Sequence, residues 1–304
     1  MSVDLLVQKI KEKGNPSVAG LDPKIEYVPE YIRKKAYAEY GQNLKGATEA
    51  ISEFNKGLID ALYDVVPAVK PQSAFYEMYG LCGEEVMHRT ISYAKEKGLY
   101  IILDVKRNDI GSTAEAYSKA YLGKVDIDGV ECEPCPVDCV TVNPYLGTDG
   151  IQPFVNDCKT FDKAIFALVK TSNPSSGELQ DLLVGDEHIY EKVAQCVNKW
   201  NEETIGKSGY GAVGAVVGAT YPEQAKVLRK LMPKSYFLVP GYGAQGGGAE
   251  GVKPCFNEDG LGAIVNSSRG IMCAYKKGDW KEEQFAEAAR AEAIRMKNDL
   301  TSVL

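Results

Sequence analysis

The chain has 304 residues, of which 44% are hydrophobic and 25% are charged, proportions that are ordinary for a soluble globular protein. Its formal net charge of −7 argues against binding to nucleic acid or to a membrane surface. No run of eighteen apolar residues predicts a membrane span, and residues 1–9 lack the basic and apolar segments of a secretory signal. We therefore expect a cytoplasmic protein whose eight cysteines are free thiols.

Apolar runs of strand length recur along the chain, and a segment compatible with a helix follows each of them. Alternating β and α units predict a parallel sheet with right-handed crossovers, and eight units are the number that closes a (β/α)8 barrel. We therefore predict a single (β/α)8 TIM barrel over residues 1–304. Its predicted strands are residues 17–22, 67–70, 100–106, 139–143, 164–170, 211–218, 236–240 and 263–266.

The first crossover is unusually long, from Asp22 to Pro67. It contains residues 27–40 and then a predicted helix over residues 43–65, so we expect an extra helix or loop there but no separate domain. Helical patterns also occupy residues 113–123 and 221–232. The alternative is a doubly wound sheet, which usually carries a dinucleotide fingerprint. The Gly-x-Gly-x-x-Gly at positions 209, 211 and 214 leads into an apolar strand instead of opening a helix, so it does not indicate such a site.

The third predicted strand and the residues after it, from Ile101 to Thr113, change abruptly from apolar to charged. Asp104 and Lys106 are two residues apart, so on a strand their side chains point to the same side. A buried carboxylate and ammonium are costly unless they are paired or used, and the carboxyl ends of barrel strands are where ligands bind. A structural ion pair at the strand end is the alternative interpretation.

Most of the other predicted strands also end in side chains that are able to do chemistry. Helix capping accounts for the Asp, Ser, Thr and Asn side chains at such positions, but it does not account for Lys70, Lys106 or Arg269. We therefore predict an active site at this end of the barrel. The other side chains at the strand ends are Asp22, Asn143, Thr171, Ser172, Ser267 and Ser268.

Two loops, after the seventh and eighth predicted strands, predict an anion site. Residues 240–248 are rich in glycine, and Arg269 follows the eighth strand. Glycines let backbone N–H groups approach an anion, and the planar guanidinium of arginine matches two phosphate oxygens. A phosphate site made by these two loops recurs in (β/α)8 barrels. A flexible glycine linker is the alternative, but a linker would not stand between two core strands.

Together these motifs resemble the orotidine 5′-monophosphate decarboxylase family, and the long first crossover resembles its larger bacterial-type subgroup. The motifs run in the family's order over positions 17 to 275, which makes the set far more specific than any one motif. They are Gly20-Leu-Asp22, Val69-Lys70-Pro71-Gln72, Phe75-Tyr-Glu77, Asp104-x-Lys106-x-x-Asp109-Ile110, Val142-Asn-Pro-Tyr-Leu-Gly147, Ser172-Asn-Pro174, Pro240-Gly-x-Gly-Ala-Gln245-Gly-Gly and Ser268-Arg269-Gly-Ile.

The resemblance implies a carboxy-lyase that converts orotidine 5′-monophosphate to uridine 5′-monophosphate and CO₂, the last step of de novo pyrimidine synthesis. It implies no cofactor and no metal. The implied catalytic residues are Lys70, Asp104, Lys106 and Asp109, arranged as a network of alternating charge at the reacting carbon. Lys106 is expected to stabilise the carbanion-like transition state at C6 and then to protonate it.

The resemblance also implies a homodimer with shared active sites, in which Asp109, Ile110 and Thr113 reach the site of the neighbouring subunit. Asp22 is expected to hold a ribose hydroxyl together with Lys70, and Ser172 to read the pyrimidine edge. Gln245 and Arg269 are expected to bind the phosphate. The full set of implied substrate-binding residues, in which the contact of Asn143 is left open, is Asp22, Ile110, Thr113, Asn143, Ser172, Pro240, Gly243, Gln245, Ser268 and Arg269.

Three other functions fit parts of the pattern. Lys70 and Lys106 near strand ends are also typical of a Schiff-base aldolase, although the aspartates beside Lys106 keep it protonated and weakly nucleophilic. Asp104 and Asp109 are able to ligate Mg²⁺ in a metal-dependent sugar-phosphate enzyme, with Lys106 between them competing against the cation. A nucleotide-binding barrel without turnover would bind uridine monophosphate and leave orotate unchanged.

Cys132, Cys135 and Cys139 are close enough in the sequence to suggest zinc or an iron–sulfur cluster. No fourth ligand is evident, and the only histidines of the chain are His88 and His188. The segment also leads into the fourth predicted strand, at the end of the barrel away from the predicted chemistry. We therefore expect no metal at these thiols.

Overall fold

The computed structural model describes residues 2–243 and 248–304, and within them eight parallel strands close into a barrel. Each strand pairs with the next one along the chain, and the first pairs with the last. The predicted (β/α)8 TIM barrel is therefore confirmed. The strands are β1 (Ser17–Leu21), β2 (Ala68–Pro71), β3 (Tyr100–Arg107), β4 (Cys139–Val142), β5 (Ala164–Lys170), β6 (Gly211–Val217), β7 (Ser235–Val239) and β8 (Ala263–Ser267).

Helices connect the strands and form the outer layer of the barrel. The helices predicted over residues 113–123 and 221–232 are present, with ends shifted by a residue or two. In the described residues the helices are α1 (Ser2–Lys13), α2 (Glu30–Tyr40), α3 (Leu44–Leu62), α4 (Ala74–Glu77), α5 (Leu81–Glu96), α6 (Gly111–Tyr121), α7 (Thr148–Phe161), α8 (Ile189–Asn201), α9 (Pro222–Leu231), α10 (Ala249–Val252), α11 (Arg269–Met272) and α12 (Phe285–Thr301).

The strands are apolar because both of their faces are covered. In β3 every residue from Tyr100 to Val105 is buried, and so is every residue of β6. Gly214 in β6 lies at a close approach, since a Cβ there would come within 2.6 Å of both the Phe166 ring and the carbonyl oxygen of Tyr236. Gly214 thus serves the packing of β6.

The long first crossover contains the extra helix that the sequence predicts. Helix α3 begins after Asn43, whose side-chain oxygen accepts a hydrogen bond from the backbone N–H of Gly46 at 3.0 Å. Of residues 27–40, Tyr27 lies in a short 3₁₀ turn and helix α2 begins at Glu30. Pro29 stands directly before this helix and separates it from the turn, because proline lacks an N–H and disfavours helical backbone in the residue before it.

Helix α1 packs against the N-terminal ends of the strands. The hydroxyl of Ser2 lies 2.8 Å from the Tyr100 hydroxyl and donates to the carbonyl oxygen of Asp138 at 3.1 Å. The Asp138 carboxylate in turn accepts a hydrogen bond from the backbone N–H of Ile101 at 2.8 Å. These contacts fill the N-terminal end with structural groups and leave the opposite end of the barrel for a ligand.

Two short hairpins extend from the barrel, Val125–Ile127 with Val130–Cys132 and Leu183–Val184 with Glu187–His188. Cys132 is exposed on the first hairpin, whereas Cys135 and Cys139 are buried. Among the described residues, no group of three or more His, Cys, Asp or Glu side chains is arranged to hold a metal ion. Within residues 2–243 and 248–304, no helix is long and apolar enough to cross a bilayer.

Candidate active site

Charged side chains from the first three strands meet at the carboxyl end of the barrel. The ammonium of Lys70, at the end of β2, donates to Asp104 Oδ2 at 2.9 Å and lies 3.9 Å from Asp22 Oδ1. The ammonium of Lys106 donates to the other oxygen of Asp104 at 2.6 Å. We call these four residues the charged network. Anion and cation alternate along it in the order Asp22, Lys70, Asp104, Lys106.

Thr141 in β4 links the two ends of the Asp104–Lys106 pair. Its hydroxyl donates to Asp104 Oδ1 at 2.7 Å and accepts from the backbone N–H of Lys106 at 2.9 Å. The backbone of Lys106 is left-handed, with φ of 49°, and the pairing of β3 with β4 shifts register between Leu103 and Arg107. This irregularity sets the direction of the lysine at the strand end, because the chain no longer follows the pleat there.

Burial and charge act in opposite directions on the two central groups. Burial penalises the Asp104 carboxylate, but the adjacent ammonium groups of Lys70 and Lys106 outweigh it and hold the pKa of Asp104 well below its ordinary value. Burial likewise opposes protonation of Lys70, yet Asp104 and Asp22 raise its pKa above the ordinary value. Both groups therefore stay ionised at neutral pH, so the network presents fixed charge to anything bound beside it.

A cavity of about 470 Å³, which we call the strand-end cavity, lies beside this network. Its wall is polar at the charged network and apolar on the side of β5, β6 and β7, an arrangement that suits a flat ring with polar edges. Its lining residues are Lys70, Asp104, Lys106, Thr141, Leu168, Thr171, Ser172, Asn173, Gln180, Val216, Leu238 and Pro240.

A second cavity of about 480 Å³, the anion-loop cavity, adjoins the first. Pro240 lines one and Gly241 the other, and the Asp22–Lys70 contact bridges them. Four cationic side chains line it against two anionic ones, so it is suited to an anion. The charged residues are Lys24, Arg269, Lys277 and Arg295 against Asp22 and Glu292, and the others include Gly243, Asn266 and Ser268.

Two residues that line the anion-loop cavity each have a buried oxygen without a hydrogen-bond donor among the described residues. Among the described residues, no donor is hydrogen-bonded to Asp22 Oδ1 or to Asn266 Oδ1. Both residues line the anion-loop cavity. Because an unsatisfied buried acceptor is costly, these atoms indicate places where a ligand hydroxyl would complete the site.

The structure brings most of the predicted site residues to these two cavities. Of the predicted set, Lys70, Asp104, Lys106, Ser172 and Pro240 line the strand-end cavity, and Asp22, Gly243, Ser268 and Arg269 line the anion-loop cavity. Gln245 lies outside the described residues.

Four predicted residues line neither cavity: Asp109, Ile110, Thr113 and Asn143. Asp109 takes no part in the charged network of its own chain, and its Oδ1 accepts from the backbone N–H of Ile110 at 2.8 Å. Ile110 is 55% exposed, and Thr113 is exposed as well. The Asn143 side chain caps a short turn by accepting from the backbone N–H of Tyr145 at 3.0 Å.

Sequence reasoning missed several residues that line the strand-end cavity, among them the polar side chains of Thr141 and Gln180. Strand register carries a signal for Thr141: Leu103 in β3 is aligned with Val140 in β4, which puts Thr141 beside Asp104. Gln180 lies in the loop after β5, where no strand period or motif marks it.

A barrel with fixed charges between a ring-sized cavity and a cationic, glycine-rich one defines a (β/α)8 enzyme for a phosphorylated small molecule. The family model described as orotidine 5′-phosphate decarboxylase / HUMPS matches residues 47–282, well over half of the chain. The chain belongs to this family.

The chain is similar over nearly its whole length to proteins that are named orotidine 5′-phosphate decarboxylase. The orotidine 5′-phosphate decarboxylase of Caldicellulosiruptor bescii is 44% identical over 301 residues, which cover 99% of this chain and 98% of the relative. That of Rhodopirellula baltica is 45% identical over 295 residues and 96% of each chain. The structure of Leishmania donovani OMP decarboxylase is similar with a TM-score of 0.76 and 29% identity, covering 99% of this chain and 98% of that one.

Proposed function

We propose that the charged network carries out the decarboxylation of orotidine 5′-monophosphate to uridine 5′-monophosphate and CO₂, the activity for which the family and the relatives are named. This activity belongs to pyrimidine synthesis and makes the chain a carboxy-lyase. The single observation that carries the assignment of residues is the alternating order of Asp22, Lys70, Asp104 and Lys106 between the two cavities. We propose that one barrel domain spanning the chain performs it.

The chemistry requires charge stabilisation. When the bond from C6 to the carboxylate breaks, its electron pair stays on an sp² carbon that has no carbonyl or imine to receive it. Without a cofactor, the protein must supply fixed positive charge and a proton. We assign both tasks to Lys106, whose ammonium is held 2.6 Å from Asp104 and beside the strand-end cavity. Its proton moves to C6, CO₂ leaves, and solvent then reprotonates the amine.

We assign Asp104 to the side of the leaving carboxylate. Two like charges about 4 Å apart repel by about 4 kcal/mol at an effective dielectric constant of about 20. This repulsion is far smaller than the ~23 kcal/mol at the upper end of typical enzymatic rate enhancements. Stabilisation of the transition state by Lys106 must therefore supply most of the acceleration.

The two cavities divide the substrate between them in this proposal. The pyrimidine ring occupies the strand-end cavity, where Ser172 reads its edge and Pro240 packs nearby. Asp22 and Lys70, at the junction, hold the ribose hydroxyls. This is supported by Asp22 Oδ1, which lies 3.9 Å from the Lys70 ammonium and accepts no hydrogen bond from the described residues. The phosphate occupies the anion-loop cavity, where we assign its binding to Arg269, Ser268, Gly243 and Gln245.

We propose a homodimer in which Asp109, Ile110 and Thr113 complete the active site of the partner subunit. Its support is the apolar surface around these residues. The loops after β2, β3 and β4, which are neighbouring strands, all expose large apolar side chains. These side chains are Met78, Leu81, Ile110, Tyr145 and Leu146, between 47% and 89% exposed.

Mixing two inactive variants tests the dimer. Lys106→Ala and Asp109→Ala each remove one residue from every site of their own homodimer. A mixed dimer has one intact site, so a one-to-one mixture should recover about a quarter of wild-type activity if subunits exchange freely. No recovery, with subunit exchange shown by native mass spectrometry of a tagged variant, would contradict shared sites.

The decarboxylation itself is tested by following the absorbance of orotidine 5′-monophosphate in excess EDTA. Wild type should consume the substrate without metal, and Lys106→Ala should not. Lys9→Ala is a matched control in α1, far from both cavities, where the ammonium donates to the carbonyl oxygen of Gly98; it should retain full activity. No turnover by wild type would reject the proposal. We further propose a cytoplasmic location, in keeping with a nucleotide substrate and eight free cysteines.

A further inference from the structure

Lys170, the last residue of β5, is a lysine that the proposed mechanism does not use, and it is only 1% exposed. Its ammonium donates to Asp181 Oδ1 at 2.7 Å and to Ser176 Oγ at 3.2 Å. It also lies over the Tyr221 ring, 4.9 Å from the ring centroid. A carboxylate, a hydroxyl and an aromatic face thus surround one buried charge, and they join the end of a barrel strand to the loop that follows it.

The loop that this ion pair closes, residues 171–181, forms one wall of the strand-end cavity. Thr171, Ser172, Asn173 and Gln180 all line that cavity. The amide of Gln180 folds back on the start of the loop: its Oε1 accepts from the backbone N–H of Thr171 at 2.9 Å, and its Nε2 donates to Thr171 Oγ1 at 2.8 Å. Its second N–H has no acceptor among the described residues and remains available to a ligand in the cavity.

Asp181 follows Gln180 directly, so whatever holds Asp181 also holds Gln180 against the cavity. Besides Lys170, the Asp181 carboxylate accepts from the side-chain amide of Gln224 at 3.3 Å, and its backbone carbonyl oxygen lies 2.9 Å from His188 Nδ1. The lysine provides the charged and most buried of these contacts. Its loss would therefore release the loop more than the loss of either of the others.

We propose that Lys170 is a positioning residue for recognition of the pyrimidine ring, acting through Asp181 on Gln180. This inference rests on the proposed function, because it takes the strand-end cavity to hold the base. Gln180 then donates its free N–H to a carbonyl oxygen of the ring, next to the edge read by Ser172. The charged network is formed by residues at the ends of β1 to β3, whereas this loop follows β5. We therefore expect the loop to contribute equally to binding of the ring in the ground state and in the transition state, and to leave the bond-breaking step largely unchanged.

Lys163, directly before β5, provides a matched control, because it is a paired lysine at the opposite end of the same strand. Its ammonium donates to Glu133 Oε1 and to the carbonyl oxygen of Val137, both at 2.7 Å, and the side chain is 12% exposed. A purely stabilising role for Lys170 predicts that the two lysines behave alike. A positioning role predicts that only Lys170 changes the affinity for a nucleotide.

The experiment compares Lys170→Met with Lys163→Met, since methionine keeps an unbranched side chain only one atom shorter than lysine and removes the charge. We expect both variants to unfold at lower temperature. Lys170→Met should raise KM for orotidine 5′-monophosphate and Kd for uridine 5′-monophosphate by the same factor, about tenfold, with kcat within about threefold of wild type. Lys163→Met should leave all three constants within about twofold. Unchanged KM and Kd in Lys170→Met would overturn the inference.

Two further variants keep the inference testable if Lys170→Met does not fold. Asp181 is the more exposed partner, with 34% of its side chain accessible, and Asp181→Asn removes the same ion pair. We expect the same tenfold rise in KM and Kd. Gln180→Ala should raise Kd for uridine 5′-monophosphate, and adding Lys170→Met to it should raise Kd no further. Multiplied effects in the double variant would overturn the route through Gln180.

The two proposals fail in different ways. Calorimetric titration with uridine 5′-monophosphate needs no turnover, so it measures nucleotide binding separately from the bond-breaking step. Absent turnover in wild type would reject the decarboxylation. Normal turnover together with unchanged nucleotide affinity in Lys170→Met and Asp181→Asn would reject only the positioning role.

Discussion

Replacing Thr141 by valine removes a single hydroxyl from the centre of the active site and keeps the shape of the side chain. That hydroxyl, in a residue only 1% exposed, donates to Asp104 at 2.7 Å and accepts from the backbone N–H of Lys106 at 2.9 Å. The valine leaves the half-buried backbone N–H of Lys106 without its acceptor and deprives the Asp104 carboxylate of one donor. Both losses fall on the two residues assigned to the reacting carbon.

The size of the effect follows from the kind of hydrogen bond that is lost. A hydrogen bond to a charged group contributes about 1.5–3 kcal/mol. Each 1.36 kcal/mol in the activation barrier changes the rate tenfold, so Thr141→Val should lower kcat by about 10- to 150-fold if the loss appears in full in the transition state. We expect KM to change much less, because Thr141 orients the charges at C6 and not the groups that hold ribose or phosphate.

Continuous absorbance of orotidine 5′-monophosphate gives kcat and KM, and thermal unfolding gives stability. Thr141→Ser keeps the hydroxyl and should stay within a few-fold of wild type. Thr90→Val is the control for deletion of a buried hydroxyl elsewhere, since Thr90 accepts from Asn55 Nδ2 at 3.2 Å away from both cavities. It should lower the unfolding temperature and leave kcat unchanged. If Thr141→Val kept kcat within twofold of wild type, the reasoning would be refuted.

Arg269→Ala should lower kcat at saturating substrate as well as raise KM, because in the proposed site a bound phosphate would help to press the carboxylate against Asp104. A change confined to KM, measured in the same absorbance assay, would count against that link. The pKa of Lys70 is raised in the folded protein, so its contribution to stability is complete below the pKa of the unfolded chain and is lost as pH rises through the folded-state pKa. The pKa of Asp104 is depressed, so its contribution is complete above the pKa of the unfolded chain and is lost as pH falls through the folded-state pKa. These two groups should therefore add no inflection to kcat or to unfolding free energy between about pH 5 and 9, and a titration of either within that range would show that the pair is not ionised as described. A thiol reagent at pH 8 should modify exposed Cys132 and Cys196 quickly, and the five buried thiols only on unfolding; burial raises the pKa of one of them, Cys135, to about 12. Cys82 is half-buried, so fast reaction of more than three thiols in the native protein would contradict the described burial.

The sequence predicts the barrel and the core of the charged network because both depend on local pattern. Apolar runs mark the strands, and Lys70, Asp104 and Lys106 stand where those runs end. Strand ends in a parallel barrel meet at one rim, so residues far apart in the sequence come together without further information. The entry of Asp22 into the network follows in the same way.

Other parts of the site depend on contacts that no local pattern encodes. A threonine between two valines in β4 fits a buried strand without any further role, and only the register against β3 brings Thr141 to Asp104. Gln180 reaches the cavity because the Lys170–Asp181 ion pair closes a loop of irregular backbone. Asp109 is placed by the sequence motif, but its predicted partner is a second copy of the chain.

The left-handed backbone at Lys106 lowers the stability of the fold at a position that the proposed reaction needs. A side-chain-bearing residue in this conformation costs about 1–2 kcal/mol, which is a sizeable part of a net folding free energy of about 5–15 kcal/mol. Glycine would relieve that cost and remove the proposed proton donor. Selection for heat resistance alone would therefore favour the loss of this lysine, and a programme to stabilise the enzyme should hold position 106 fixed while other sites vary.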